Sequence, residues 1–148
     1  MKSVGQVLAV LLFFIPLFIA GVFAFWFYEN YYLPSSSFTD GHIEGTNEVK
    51  PGSIIRIRFE VTRYRTCAIE IQRLIENLAT REEIQLQRVL ISFVGTGEPF
   101  QQEYRIEVPR EIKPGSYKIY NRVRYYCNPL DYIAPRIITS GELPLTVL

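Results

Sequence analysis

The pattern of hydrophobic and polar positions divides the chain in two. From Val7 to Tyr28 it reads VLAVLLFFIPLFIAGVFAFWFY, without a charge and without a side chain more polar than tyrosine. A helix of these 22 residues rises about 33 Å, the thickness of a bilayer's hydrocarbon core. From Glu48 onward the period drops to two. Ile55, Ile57, Phe59 and Val61 alternate with Arg56, Arg58, Glu60 and Thr62, which predicts a half-buried strand launched from the turn Lys50-Pro51-Gly52. Cys67, Ile69 and Ile71 continue the alternation in a second strand. Ile71, Leu74, Ile75 and Leu78 also match helical spacing, but the neighbouring strands favour strand there.

The remaining segments repeat this logic. Thr80–Glu83 is a polar turn, and Ile84–Val94 is rich in β-formers. Gly95-Thr96-Gly97-Glu98-Pro99 breaks that strand. In Gln101–Val108, Tyr104, Ile106 and Val108 alternate with Arg105 and Glu107. Lys113-Pro114-Gly115 then launches a strand in which Tyr117, Ile119, Val123, Tyr125 and Cys127 share one parity. Leu143, Leu145 and Val147 alternate in a last strand over Glu142–Leu148. Short strands with turn signals between them, in a domain of about 100 residues, predict two packed sheets. Between the two patterns, residues 29–47 hold Tyr31, Tyr32, Pro34, Ser35-Ser36-Ser37, Gly41 and Gly45 without a lasting period. They read as an extended linker.

The domain resembles an immunoglobulin-like domain over residues 48–148. The residues behind the resemblance are Cys67, Cys127, and the Pro114-Gly115-x-Tyr117 opening of the strand that carries the second cysteine. The resemblance implies a mainly β fold, an antiparallel β-sandwich; it leaves out the apolar run, whose length makes it an N-terminal transmembrane helix. The family's core tryptophan is missing, since Trp26 lies in the apolar run, and Cys67 follows Arg63-Tyr64-Arg65 at a strand junction. The resemblance therefore extends to the sandwich and not to the antibody-type subclass. The layout of one anchor and one domain is also similar to uncharacterised bacteriophage or bacterial envelope proteins.

Two readings compete for residues 1–28. A cleaved signal peptide has an apolar core of about 7–15 residues and a small-x-small site. This run is longer and ends in Phe25-Trp26-Phe27-Tyr28, which suits an interfacial aromatic belt. An uncleaved signal anchor is the expectation. Lys2 precedes the span, whereas Glu29, Asp40, Glu44 and Glu48 follow it before the first basic residue, Lys50. That asymmetry puts the N-terminus in the cytoplasm and the domain in the periplasm or outside the cell.

Charge narrows the partners. The chain has 16 basic and 15 acidic side chains, a formal net charge of +1. Such a domain, facing away from the cytoplasm, is not expected to bind nucleic acid. Cys67 and Cys127 lie past the span and form no C-x-x-C motif. An oxidising compartment and the absence of metal-ligand spacing favour a structural disulfide over a redox or metal pair. His42 is the single histidine and falls in the linker, away from the rigid frame that Ser-His-Asp or Cys-His catalysis needs. No catalytic, cofactor or metal residue is assigned.

Arginine is the sharper feature. Arg56, Arg58, Arg63 and Arg65 lie in the first predicted strand and its end, and Arg122 and Arg124 have outward parity before Cys127. They form either an anion-binding patch or cross-strand pairs with Glu60, Glu70, Glu103 and Glu107. The segment Asn128–Arg136 carries Tyr132 between two prolines and ends on Arg136, as a contact loop or as a cap on the core. The functional expectation is a single-pass, non-catalytic module that binds an envelope protein or itself. The alternative is a membrane-tethered hydrolase or metal-handling enzyme.

Overall fold

The computed structural model describes residues 2–32, 36–38, 41–94 and 96–148. Pro34, Ser35 and Asp40 of the expected linker, and Gly95 of the expected turn, lie outside the described residues. Helix α1 runs Lys2–Tyr32 and contains Pro16. Among the described residues nine strands follow: β1 Ser36–Phe38, β2 His42–Ile43, β3 Glu48–Val49, β4 Ile54–Arg63, β5 Cys67–Asn77, β6 Glu83–Val94, β7 Gly97–Glu107, β8 Gly115–Tyr126 and β9 Arg136–Val147. A short 3-10 turn, η1, spans Pro129–Tyr132 between the last two.

The strands form two sheets. In the first, β4 pairs with β7 on one side and with the short β1 and β2 on the other. In the second the order is β3-β9-β8-β5-β6. All these pairs are antiparallel except β3 with β9. The inward residues of β4, β7, β5, β8 and β9 meet between the sheets, as the period-two pattern requires. Ile57, Ile75, Ile119, Val108 and Val123 are at most 1% exposed and form the centre of the core. The fold is an immunoglobulin-like β-sandwich behind one N-terminal apolar helix.

Cys67 and Cys127 are bonded, at a sequence separation of 60. The β5–β8 register places Ala68 opposite Tyr126, so the cysteines occupy the next paired position. The bridge therefore staples neighbouring strands of one sheet rather than joining the two sheets. Tyr117 reaches back to donate its phenol to the carbonyl of Lys113 at 2.8 Å, which fixes the turn that opens β8.

Three boundaries differ from the sequence expectation, each for a local reason. The expected linker supplies β1 and β2. Phe38 packs 6.0 Å from the Phe59 ring, and Ile43 joins the core at 8% exposure. These strands have three and two residues, too short to show a period, yet they cover the edge of β4. Strand β7 starts at Gly97 rather than Gln101, with Pro99 inside it. A strand paired on one side only accepts a proline, because the missing N–H can face away from the ladder. Strand β9 starts at Arg136 rather than Glu142 because a bulge hides its alternation. Gly141 has φ of 67°, and the register with β8 shifts between Ile119 and Asn121. Of the residues that also matched helical spacing, Ile71, Leu74 and Ile75 lie in strand β5, and Leu78 in the turn after it.

Candidate interaction surfaces

The outer face of the second sheet carries a lattice of paired charges. The register of β5 against β8 sets Glu70 opposite Arg124, Gln72 opposite Arg122 and Glu76 opposite Lys118. Glu70, 3% exposed, receives Arg88 at 2.8 Å, Gln72 at 2.8 Å and the Tyr126 phenol at 3.2 Å, with Arg124 at 3.9 Å. Lys118 reaches Glu76 at 3.1 Å, as does Arg81 at 3.0 Å. Arg122 donates to both oxygens of Glu83, at 2.9 and 3.0 Å, and the Tyr120 phenol donates to the same carboxylate. Burial, then that bond to Glu83, pushes Tyr120 up to about 12.

These contacts carry a pH dependence. Burial pushes the Glu70 carboxyl up, but hydrogen bonds from Gln72, Arg88 and Tyr126 outweigh it, and the net shift is downward. Glu83 is lowered first by Tyr120 and then by Arg122, and Glu76 by Arg81 and then by Lys118. Carboxyls lowered on folding stabilise the fold fully above their unfolded value, about 4.3. The contribution is lost as pH falls through the lower folded values. Urea denaturation of the full chain in detergent should show a plateau above about pH 5 and a decline below about pH 4. Glu70→Gln should cost about 1–3 kcal/mol at pH 7 and flatten the acid decline.

The six arginine and tyrosine residues singled out in the sequence are not brought into one patch. Arg122 and Arg124 lie on the outer face of the second sheet, each beside a carboxylate. Arg63 turns inward at the end of β4, its guanidinium 4.5 Å from the centre of the Phe100 ring. Burial lowers its proton affinity, which the Tyr125 phenol partly restores. Arg136 is paired with Tyr125 across β8 and β9, so Arg63 and Arg136 act on one phenol, which also bonds Ser36. Arg63 and Arg65 rim an opening between the sheets, beside Phe38, Ile69 and Tyr125, that encloses about 20 Å³.

Tyr132 belongs to η1, a turn held rigidly from within. The Asn128 side chain caps it by accepting from the Leu130 amide at 3.0 Å. Asp131 is fully buried and accepts from the backbone amides of Cys127 at 2.6 Å and Asn128 at 3.0 Å. Tyr132 and Ile133 point outward, 72% and 85% exposed, and the Tyr132 ring lies 5.2 Å from that of Tyr126. Between contact loop and core cap, these two side chains take the exposed position.

Two features escaped the sequence reading. Arg73 has the inward parity of Ile69, Ile71 and Ile75, and it is 6% exposed. Its guanidinium stacks 4.0 Å from the centre of the Tyr104 ring and donates to Gln87. The parity was visible in the sequence, but the charge argued for the surface. The second feature is an open edge. Strand β6, with 12 residues, ends the second sheet and pairs only with β5. At the other edges β1 and β2 pair with parts of β4 and β3 pairs with Thr146 and Val147 of β9, while β7, like β6, pairs on one side only. Leu90 is 68% exposed in β6, amid Gln85, Gln87 and Arg88. His42 is exposed in β2 opposite Arg58. Among the described residues no group of three or more His, Cys, Asp or Glu is placed to hold a metal.

Together these features define the class: a β-sandwich module of the immunoglobulin-like kind, carried behind an apolar helix. No protein-family model matches the chain, and no curated protein matches it in sequence. Among solved structures it is similar to a Niemann-Pick type C2 protein from the Japanese carpenter ant, with a TM-score of 0.55 and 12% identity over 78% of this chain and 94% of the other. It is also similar to the C-terminal domain of wzt, with a TM-score of 0.55 and 13% identity over 77% of this chain and 74% of the other. At such identities the likeness concerns the fold alone.

Proposed function

We propose that the chain is a single-pass, membrane-tethered binding module whose sandwich, outside the cytoplasm, recruits a protein partner by strand pairing along β6. The tether is supported by Val10–Tyr28, 19 residues of mean hydropathy 2.6, none buried within the protein. Apolar side chains such as Phe18 and Leu12, 73% and 68% exposed, need a bilayer around them. The disulfide supports an oxidising compartment. The binding role is carried by one observation, the long open edge of β6. An uncovered edge of this length offers a row of backbone donors and acceptors, which natural proteins normally blunt unless it is used. The role proposed is non-catalytic and uses no cofactor.

The test places a photo-crosslinking side chain at Gln87 in the full chain, expressed in membranes. The expected result is one discrete protein adduct that Leu90→Lys abolishes, because a lysine on an edge strand opposes further pairing. An adduct at twice the mass of the chain would identify a second copy as the partner. Adducts that persist unchanged in Leu90→Lys, or none, would overturn the proposed edge.

A further inference from the structure

We infer that the η1 turn is a second membrane contact: Tyr132 and Ile133 enter the headgroup and acyl boundary of the bilayer that α1 crosses and seat the sandwich against it. The inference rests on the tether proposed above and adds where the domain meets the lipid. Its starting point is the contact between the two parts of the chain. The Asn128 amide donates to the backbone carbonyl of Trp26 at 3.4 Å. Trp26 lies two residues before the end of the apolar span, among the aromatic residues that sit at a membrane interface. Val22 and Trp26, one turn apart, are the half-buried positions on a helix otherwise exposed from Phe23 to Tyr28. The turn is thus held at the depth of the interface.

What the turn presents there suits lipid. Among the described large hydrophobic side chains Ile133, at 85%, is the most exposed, beyond those described on the apolar helix. Tyr132 beside it offers an apolar ring with a polar tip, the combination that favours the headgroup level. Pro129 and Ala134 are exposed on the same turn, whereas its one acid, Asp131, is fully buried and bound to backbone amides. Withdrawing the carboxylate leaves no acidic side chain exposed on the tip. The cap at Asn128, the disulfide at Cys127 and the Tyr126 ring hold that tip in place without any ligand. A rigid turn of exposed apolar groups, tied to the end of a membrane-length helix, has the bilayer as its nearest apolar medium.

The single tryptophan gives the test. The full chain is reconstituted in phosphatidylcholine vesicles, with and without bromine on the upper acyl chain. Three forms are compared: wild type with Trp26, Trp26→Phe with Ile133→Trp, and Trp26→Phe with Ile54→Trp. Ile54 is 67% exposed and starts β4, about 30 Å from the strand's other end. The indole at 133, like Trp26, should lose roughly half of its emission to the brominated lipid and be shielded from acrylamide. The indole at 54 should be quenched by acrylamide only. Tyr132→Trp in the same background should repeat the result for 133. If Trp26 is quenched by bromine and the indole at 133 behaves like that at 54, the inference fails while the tether stands. If 133 is shielded from acrylamide but untouched by bromine, a protein covers the turn and the inference fails. If Trp26 itself escapes bromine, the tether fails and the inference with it.

Discussion

Opening the Cys67–Cys127 bridge should cost the sandwich about 4 kcal/mol. The bridge closes a loop of 60 residues, and chain entropy for a loop of that size gives roughly this value. Small domains have about 5–15 kcal/mol in total, so the loss is a large share of the fold's stability. It should also be felt locally, since the Cys127 amide is one of two that anchor Asp131 and hence η1. The measurement is urea denaturation of the full chain in detergent, comparing the oxidised protein with Cys67→Ser/Cys127→Ser. The reduced wild type should coincide with the double variant. A difference below about 1 kcal/mol would mean that the β5–β8 ladder already restrains the unfolded chain.

The second large effect should come from Ile119→Ala. Ile119 is fully buried in β8 and lies opposite Ile75, also fully buried, in β5. Removing its branched side chain forfeits the transfer energy and leaves a cavity between sheets that cannot collapse, for about 3–4 kcal/mol. Ile75→Ala should cost about the same. The double variant should depart from additivity by at least about 0.5 kcal/mol, because the two positions are neighbours. Leu90→Ala, at a site 68% exposed, should change stability by less than about 0.5 kcal/mol in the same assay. That contrast separates a core position from an edge position of similar composition.

Much of this fold was legible in the chain because burial on one face imposes period two. Ile55, Ile57, Phe59 and Val61, and Tyr117, Ile119, Val123 and Tyr125, are all buried as their parity predicts. The apolar run Val7–Tyr28 is a helix, as its length implied. Legibility failed where the physics is not periodic. Strands β1 and β2 exist because β4 needs its edge covered, a demand that no window of two or three residues records. The early half of β9 was hidden by the bulge at Gly141, which shifts parity between Ser140 and Leu143. Arg73 was not singled out, although it shares the parity of Ile69, Ile71 and Ile75; the Tyr104 ring face and the Gln87 amide give it an interior place.

The candidate surfaces were legible only in outline. Arg122 and Arg124 were found from their parity, and their carboxylate neighbours follow from the β5–β8 register, which one sequence does not state. Of the partners expected, Glu70 lies beside Arg124 and Glu103 beside Arg58, at 3.9 and 3.1 Å. Glu83, the partner of Arg122, comes from β6 and was not anticipated. Tyr132 was singled out for its setting between prolines. That the turn touches α1 was not visible, because the contact joins residues 102 apart in sequence.

The retention of α1 as a bilayer span is the claim on which the rest depends. Its most direct test is an intact-mass measurement of the chain recovered from membranes after an alkaline carbonate wash. The account predicts a single species with all 148 residues, near 17.2 kDa, retained in the pellet. A soluble species lacking the apolar run would contradict it, and would make the helix a leader that the mature sandwich discards.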